Sequence, residues 1–83
     1  MQIETIADIG DNIEIKVNKD ESKLARIIRI DIFSMDRGCY ACEYTTDLLK
    51  CTRKGDDVIQ EHIIIPQHRI KRIGNKLYSV LND

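Results

Sequence analysis

The sequence has 83 residues, 33% of them charged, yet a formal net charge of only −1. That length allows one domain with a modest core, burying roughly 60–65% of the surface its unfolded chain exposes. The balance of charge, with a pI near 6.1, excludes a general polyanion binder, whose affinity rests on many phosphate-neutralising cations. No apolar run approaches the roughly 20 residues of a membrane-spanning helix. The opening MQIETIADIGD is acidic where a signal peptide needs basic and then apolar residues. Three cysteines, an odd number, fit reduced thiols better than a disulfide framework. Together these features predict a soluble, cytoplasmic protein with no membrane partner. The charge is unevenly spread. Residues 1–47 hold six Lys/Arg and ten Asp/Glu, hence −4, and residues 48–83 hold seven and four, hence +3.

Along the chain, Ile3, Ile6 and Ile9 recur every third residue, which suits a short irregular helix or an extended arm dipping into the core. Gly10-Asp11-Asn12 makes a turn. Ile13, Ile15 and Val17 then alternate with Glu14 and Lys16, the pattern of a strand with one buried face. Asn18–Lys23 is a polar loop. Leu24–Phe33 carries two patterns at once. Leu24, Ile27 and Ile28 have helical spacing, whereas Ile28, Ile30 and Ile32 alternate with Arg29 and Asp31 as in a strand. The β-branched content favours strand from about Arg26 onward, with one helical turn before it an open alternative. Ser34–Gly38 is a loop. Cys39–Thr46 alternates again and should pair with the preceding strand as a hairpin, and Leu48–Thr52 extends it after a bulge. Lys54-Gly55-Asp56-Asp57 is a turn.

The stretch VIQEHIIIPQHRIKRI, Val58–Ile73, organises the rest. Ile59, Ile63 and Ile65 share one face of a strand that Pro66 stops, since proline fixes φ and offers no N–H to a ladder. Ile70 and Ile73 lie three apart, as in a tight helical turn or a short twisted strand. Gly74-Asn75 reads as a two-residue hairpin loop before KLYSVL.

Ile9–Val17, IGDNIEIKV, resembles the opening strand of Tudor- and KOW-type barrels, and IIIPQHRIKRI resembles their closing joint. The resemblance implies a small SH3-like barrel. A narrower one covers about 17 of the 83 residues: IIIPQHRIKRIGNKLYS is similar to the C-terminal motif of an archaeal RNA cyclic-phosphate end recognition family, on Ile65, Pro66, His68, Arg69, Ile70 and Ile73. It implies binding of an RNA end. The His-Arg-Gly piece of that family's earlier half has no counterpart; Asp36-Arg37-Gly38 comes nearest and lacks the histidine.

Candidate chemistry concentrates after the proline. His68, Arg69, Lys71 and Arg72 form HRIKR, with Arg53 and Lys54 able to approach from another loop. Arginine offers a planar fork for phosphate and histidine a titratable donor. Tyr40 and Tyr44 are candidates to stack bases, and core packing is the competing role for both. Cys39, Cys42 and Cys51 with His62 or His68 would need to converge tetrahedrally to hold zinc. On a regular strand Cys39 and Cys42 face opposite ways, so three small hydrophobes in a reduced protein is the favoured reading. Acidic residues gather in three loops: Asp8 and Asp11 with Asn12, Asp20 and Glu21, and Asp56 and Asp57. Clustered loop carboxylates suit Ca²⁺, although no EF-hand spacing is present.

These signals predict a single, mainly β domain over residues 1–83. It is read as a small, partly open SH3-like barrel with room for one short helix at the N-terminus or near Ser22–Arg26. The alternative is an α+β domain with that helix packed on a twisted antiparallel sheet. The expected function is a non-enzymatic binding module for RNA or a nucleoprotein, acting without a cofactor. A divalent-cation-binding protein holding Ca²⁺ is the alternative, and a protein-interaction barrel offering an edge strand is the third reading.

Overall fold

The computed structural model describes residues 4–81. They form β1 (Asn12–Lys16), β2 (Ser22–Ser34), β3 (Tyr40–Lys54), β4 (Asp57–Pro66), β5 (Ile70–Gly74) and β6 (Leu77–Val80), with single 3-10 turns at Asp36–Gly38 and Gln67–Arg69. The strands make one six-stranded sheet in the order β4-β3-β2-β1-β6-β5. Every neighbouring pair is antiparallel except β1 and β6, which run parallel. The sheet does not close, so β4 and β5 are its edges.

The domain is therefore mainly β. Among the described residues there is no α-helix, which removes the α+β alternative and both proposed helix positions. Ser22–Arg26 has the composition of a helix but pairs in register with β1, from Asn12↔Arg26 to Lys16↔Ser22. Tertiary pairing overrides the weak local preference. Residues 4–11 form no regular element, and Ile3 lies outside the described residues. The hairpin after Ile73 also differs by one residue. Gly74 belongs to β5, opposite Leu77, and the loop is Asn75-Lys76. Lys76 takes the left-handed backbone, φ 54°, a conformation that costs an L-residue about 1–2 kcal/mol.

The core lies where the middle strands overlap. Ile13 and Ile15 of β1, Ala25 and Ile27 of β2, Cys42 and Tyr44 of β3, Ile65 of β4, Ile70 of β5 and Tyr78 of β6 are buried together with Ala7. Ile13 and Ile27 are wholly enclosed, and each such side chain contributes about 1.5–3 kcal/mol.

β2 serves two neighbours because it is bulged. Ser22–Arg26 pairs with β1 and Ile27–Ser34 with β3, and the register slips between Ile27↔Thr46 and Arg29↔Thr45. Ile28 is the extra residue. It shifts the phase of the strand, so Ala25 and Ile27 face the core before it and Ile30 faces the core after it. The helix-like spacing of Leu24, Ile27 and Ile28 is this bulge.

A second irregularity occurs in β3, where Thr46, Asp47 and Leu48 oppose the single Ile63 of β4. Side chains occupy the polar groups it loosens. The Asp47 carboxylate accepts the Arg26 N–H at 2.8 Å, Thr46 Oγ1 donates to the Ile63 carbonyl at 3.1 Å, and His62 Nδ1 donates to the Thr46 carbonyl at 3.0 Å. Beyond it, Leu49–Lys54 and Asp57–His62 continue as a two-stranded ribbon whose every residue is exposed. Gly55, φ 67°, supplies the left-handed residue of its turn.

Candidate binding surface at the Pro66 corner

Pro66 ends β4 in extended backbone, φ −69° and ψ 147°, and the chain turns through Gln67–Arg69 before β5 begins. The sequence break at the proline is thus a real corner, joining the two edge strands of the sheet. What the corner presents is narrower than the string HRIKR suggests.

His68 is exposed and lines a trough of about 630 Å³ with Met35, Tyr40, Ala41, Cys42, Glu43, Pro66 and Gln67. Tyr40, at the start of β3, is 46% exposed. The β2–β3 hairpin carries it there, Ser34↔Tyr40 being the last pair. Of the residues nominated for nucleic-acid binding, Tyr40 and His68 are the two that share this trough; Cys42, considered for zinc, lines it as well. Glu43 places a carboxylate in the same hollow.

Arg69 has a structural task. Its Nη2 donates to the Leu81 carbonyl at 3.2 Å, and its own carbonyl accepts the Leu81 N–H at 2.6 Å. The guanidinium and the backbone together pin the end of β6 to the corner. Lys71 and Arg72 are exposed, but as successive strand residues they leave opposite faces of β5. Arg72 Nε donates to the Gly74 carbonyl at 3.1 Å. The four basic residues do not form one patch.

Tyr44 is fully buried, so its ring is not offered for stacking. Its hydroxyl holds the N-terminal arm instead, accepting the N–H groups of Ile6 at 3.1 Å and Ala7 at 3.4 Å and donating to Gln67 Oε1. Gln67 also accepts the Ile6 N–H at 3.1 Å and donates to the Glu4 carbonyl at 3.3 Å. Tyr78 completes the clamp, its hydroxyl donating to the Ile6 carbonyl at 2.5 Å. Burial disfavours the phenolate and pushes the Tyr44 pKa up to about 12, with the neighbouring Cys42 adding to the rise and the Ala7 and Ile6 amides opposing it. Sequence reasoning missed this clamp. Its partners lie 38 and 72 positions apart, and no local pattern connects them.

Arg53 and Lys54 stand at the ribbon tip, opposite Val58 and Asp57. From Tyr44 to Arg53 along β3 is on the order of 25–30 Å, so they do not approach the corner. The acidic loops are equally dispersed. Asp11 is buried and accepts the Asp8 N–H at 3.0 Å, closing its own turn. Asn18 accepts the Asp20 N–H and donates to Glu21. Asp56 and Asp57 sit on the ribbon tip. Among the described residues no three His, Cys, Asp or Glu side chains gather to hold a metal ion. Cys39 and Cys51 are exposed and Cys42 is buried, all as free thiols.

The fold and the corner define a class: a small, mainly β domain with an open, bent sheet and an aromatic–histidine trough at the joint of its edge strands. No protein-family model matches the chain, and neither does any curated protein or solved structure. No helix among the described residues is long and apolar enough to cross a membrane.

Proposed function

We propose that the domain is a small non-enzymatic binding module for RNA, free or within a nucleoprotein, that seats a short single-stranded segment at the Pro66 corner. The observation that supports this is the meeting of Tyr40 and His68 in one trough. An exposed phenol ring is a stacking platform for any base, contributing about 1–3 kcal/mol, and an imidazole beside it donates to a phosphate or a base edge. Lys71 or Arg72 adds a cation from β5, one per face. Glu43 in the same hollow limits the footprint, so affinity is modest and only about one to three phosphates are contacted. The same reading takes the open sheet as a partly open SH3-like barrel, supported by the 3-10 turn that joins β4 to β5.

Fluorescence anisotropy with short labelled single-stranded RNA tests it. Binding should weaken with salt, with a logarithmic slope on the order of −0.7 per phosphate contacted. The pair Tyr40→Ala with His68→Ala should abolish it, whereas Lys23→Ala, on β2 far from the corner, should not. A parent protein without salt-dependent binding, or a double variant that binds as well as the parent, removes the reading.

A further inference from the structure

The two open edges of the sheet carry opposite charge. Among the described residues β4 pairs only with β3, and its projecting half, Asp57–His62, carries Asp57 and Glu61. β5 pairs only with β6 and carries Lys71 and Arg72 with no acid. An unpaired edge presents a row of N–H and C=O groups ready to accept another strand. Joining two β4 edges would bring carboxylates together, and joining two β5 edges would bring cations together. Joining β4 to β5 sets opposite charges face to face.

We propose that a second copy of this chain docks its β5 against the projecting half of β4, antiparallel and head to tail. The register that places Lys71 opposite Glu61 also places Arg72 opposite Gln60, on the other face of the joined sheet. Beyond Arg72 the register of β5 shifts at Ile73, so the regular pairing ends there. Glu61 is available for this role. Its partner within the chain, Lys50 Nζ, lies 4.0 Å away with both side chains well exposed, a weak pair. The interface is heterologous, since each copy uses one edge on each side. Copies therefore add into a ring or an open filament, not a closed two-fold dimer.

Sedimentation of the full chain, without RNA, from micromolar to millimolar concentration tests this. Association should rise with concentration and continue past the dimer. E61K and K71E should each weaken it about five- to tenfold, because each turns an attractive cross-strand pair into a repulsive one. An equimolar mixture of the two variants should recover association, the reversed β4 of one meeting the reversed β5 of the other. Circular dichroism confirms that each variant is folded. A chain that stays monomeric to millimolar concentration, or association that ignores both charge reversals, overturns the proposal. E61K lies outside the RNA surface, whereas K71E also removes one of its cations, so loss of association in E61K with RNA binding intact separates the two readings.

Discussion

The inner half of the sheet and the projecting ribbon are built from the same kind of sequence and put it to different ends. In β1 and the first half of β2, alternating residues bury one face, and Ile13 and Ile27 are wholly enclosed. In the ribbon, Val58 and Ile59 stand side by side, so they point to opposite faces, and both are exposed. The difference is what lies against the strands. The inner strands have the arm, with Ala7 and the two tyrosine hydroxyls, laid against them, whereas the ribbon has only its own two strands. Alternation specifies a strand, but burial needs something to bury against, and an isolated hairpin is marginal in water. Stability should therefore reside in the inner half and surface chemistry at the corner and edges.

The largest effect that would break this contrast is a cavity in the inner half. Ile27→Ala should cost about 2–5 kcal/mol, read as a fall in the urea midpoint. Ile59→Ala in the same experiment should cost less than about 1 kcal/mol, and equal losses would mean the ribbon is packed after all.

The clamp on the arm should follow. Tyr44→Phe keeps the ring but removes the hydroxyl that meets Ile6, Ala7 and Gln67, at about 1–3 kcal/mol. It should also change the alkaline limb. The folded pKa of about 12 lies above the ordinary phenol value near 10, so between those limits the unfolded chain loses the proton and the folded one keeps it. This contribution is intact below about pH 10 and is lost as pH rises through about 12, amounting to roughly 2–3 kcal/mol. Denaturation series at pH 9 and 11.5 should show the parent losing more stability than Tyr44→Phe. Equal slopes would place the titrating group elsewhere.

A smaller effect is expected at the ribbon turn. Gly55 has φ 67° with open space around its α-carbon, so Gly55→Ala meets no clash and loses only about 1 kcal/mol to the left-handed backbone. Because that loss falls on the ribbon, hydrogen exchange should accelerate at residues 49–62 and stay unchanged in β1. The smallest effect is Val58→Ala, within about 0.5 kcal/mol.

The sequence reading reached the strands and missed what joins them. Ile13–Lys16 was legible because one face is buried and the period is unbroken, whereas Val17, counted with that face, lies past the strand end and is 40% exposed. The β3 bulge was legible as an interruption near Leu48, but its closure by Asp47 and His62 was not, since those bonds reach Arg26 and Thr46 across strands. Leu24–Ile28 was ambiguous for a physical reason, because one inserted residue gives a strand the spacing of a helical turn. The break at Pro66 was plain. That Arg69 serves Leu81, twelve positions on, could not be read from a basic string, and Gly74 drew the hairpin loop one position early because glycine is the usual residue of such turns. For Tyr40, the pairing of the hairpin supplied the position beside His68.

The extra residue in β2 also behaves like a reading frame. Everything upstream of Ile28 is in one phase of in and out, and everything downstream is in the other. Replacing Ile28 with another strand-forming residue keeps both phases, as it is 41% exposed. Deleting it is a different operation. Ile27 would then adjoin Arg29, and Ala25, Ile27 and Ile30 would still share the inner face in unbroken alternation; what would be lost is the bend and added twist that a bulge gives the strand. The extra residue thus sets the shape of the sheet, not the choice of side chains that it buries.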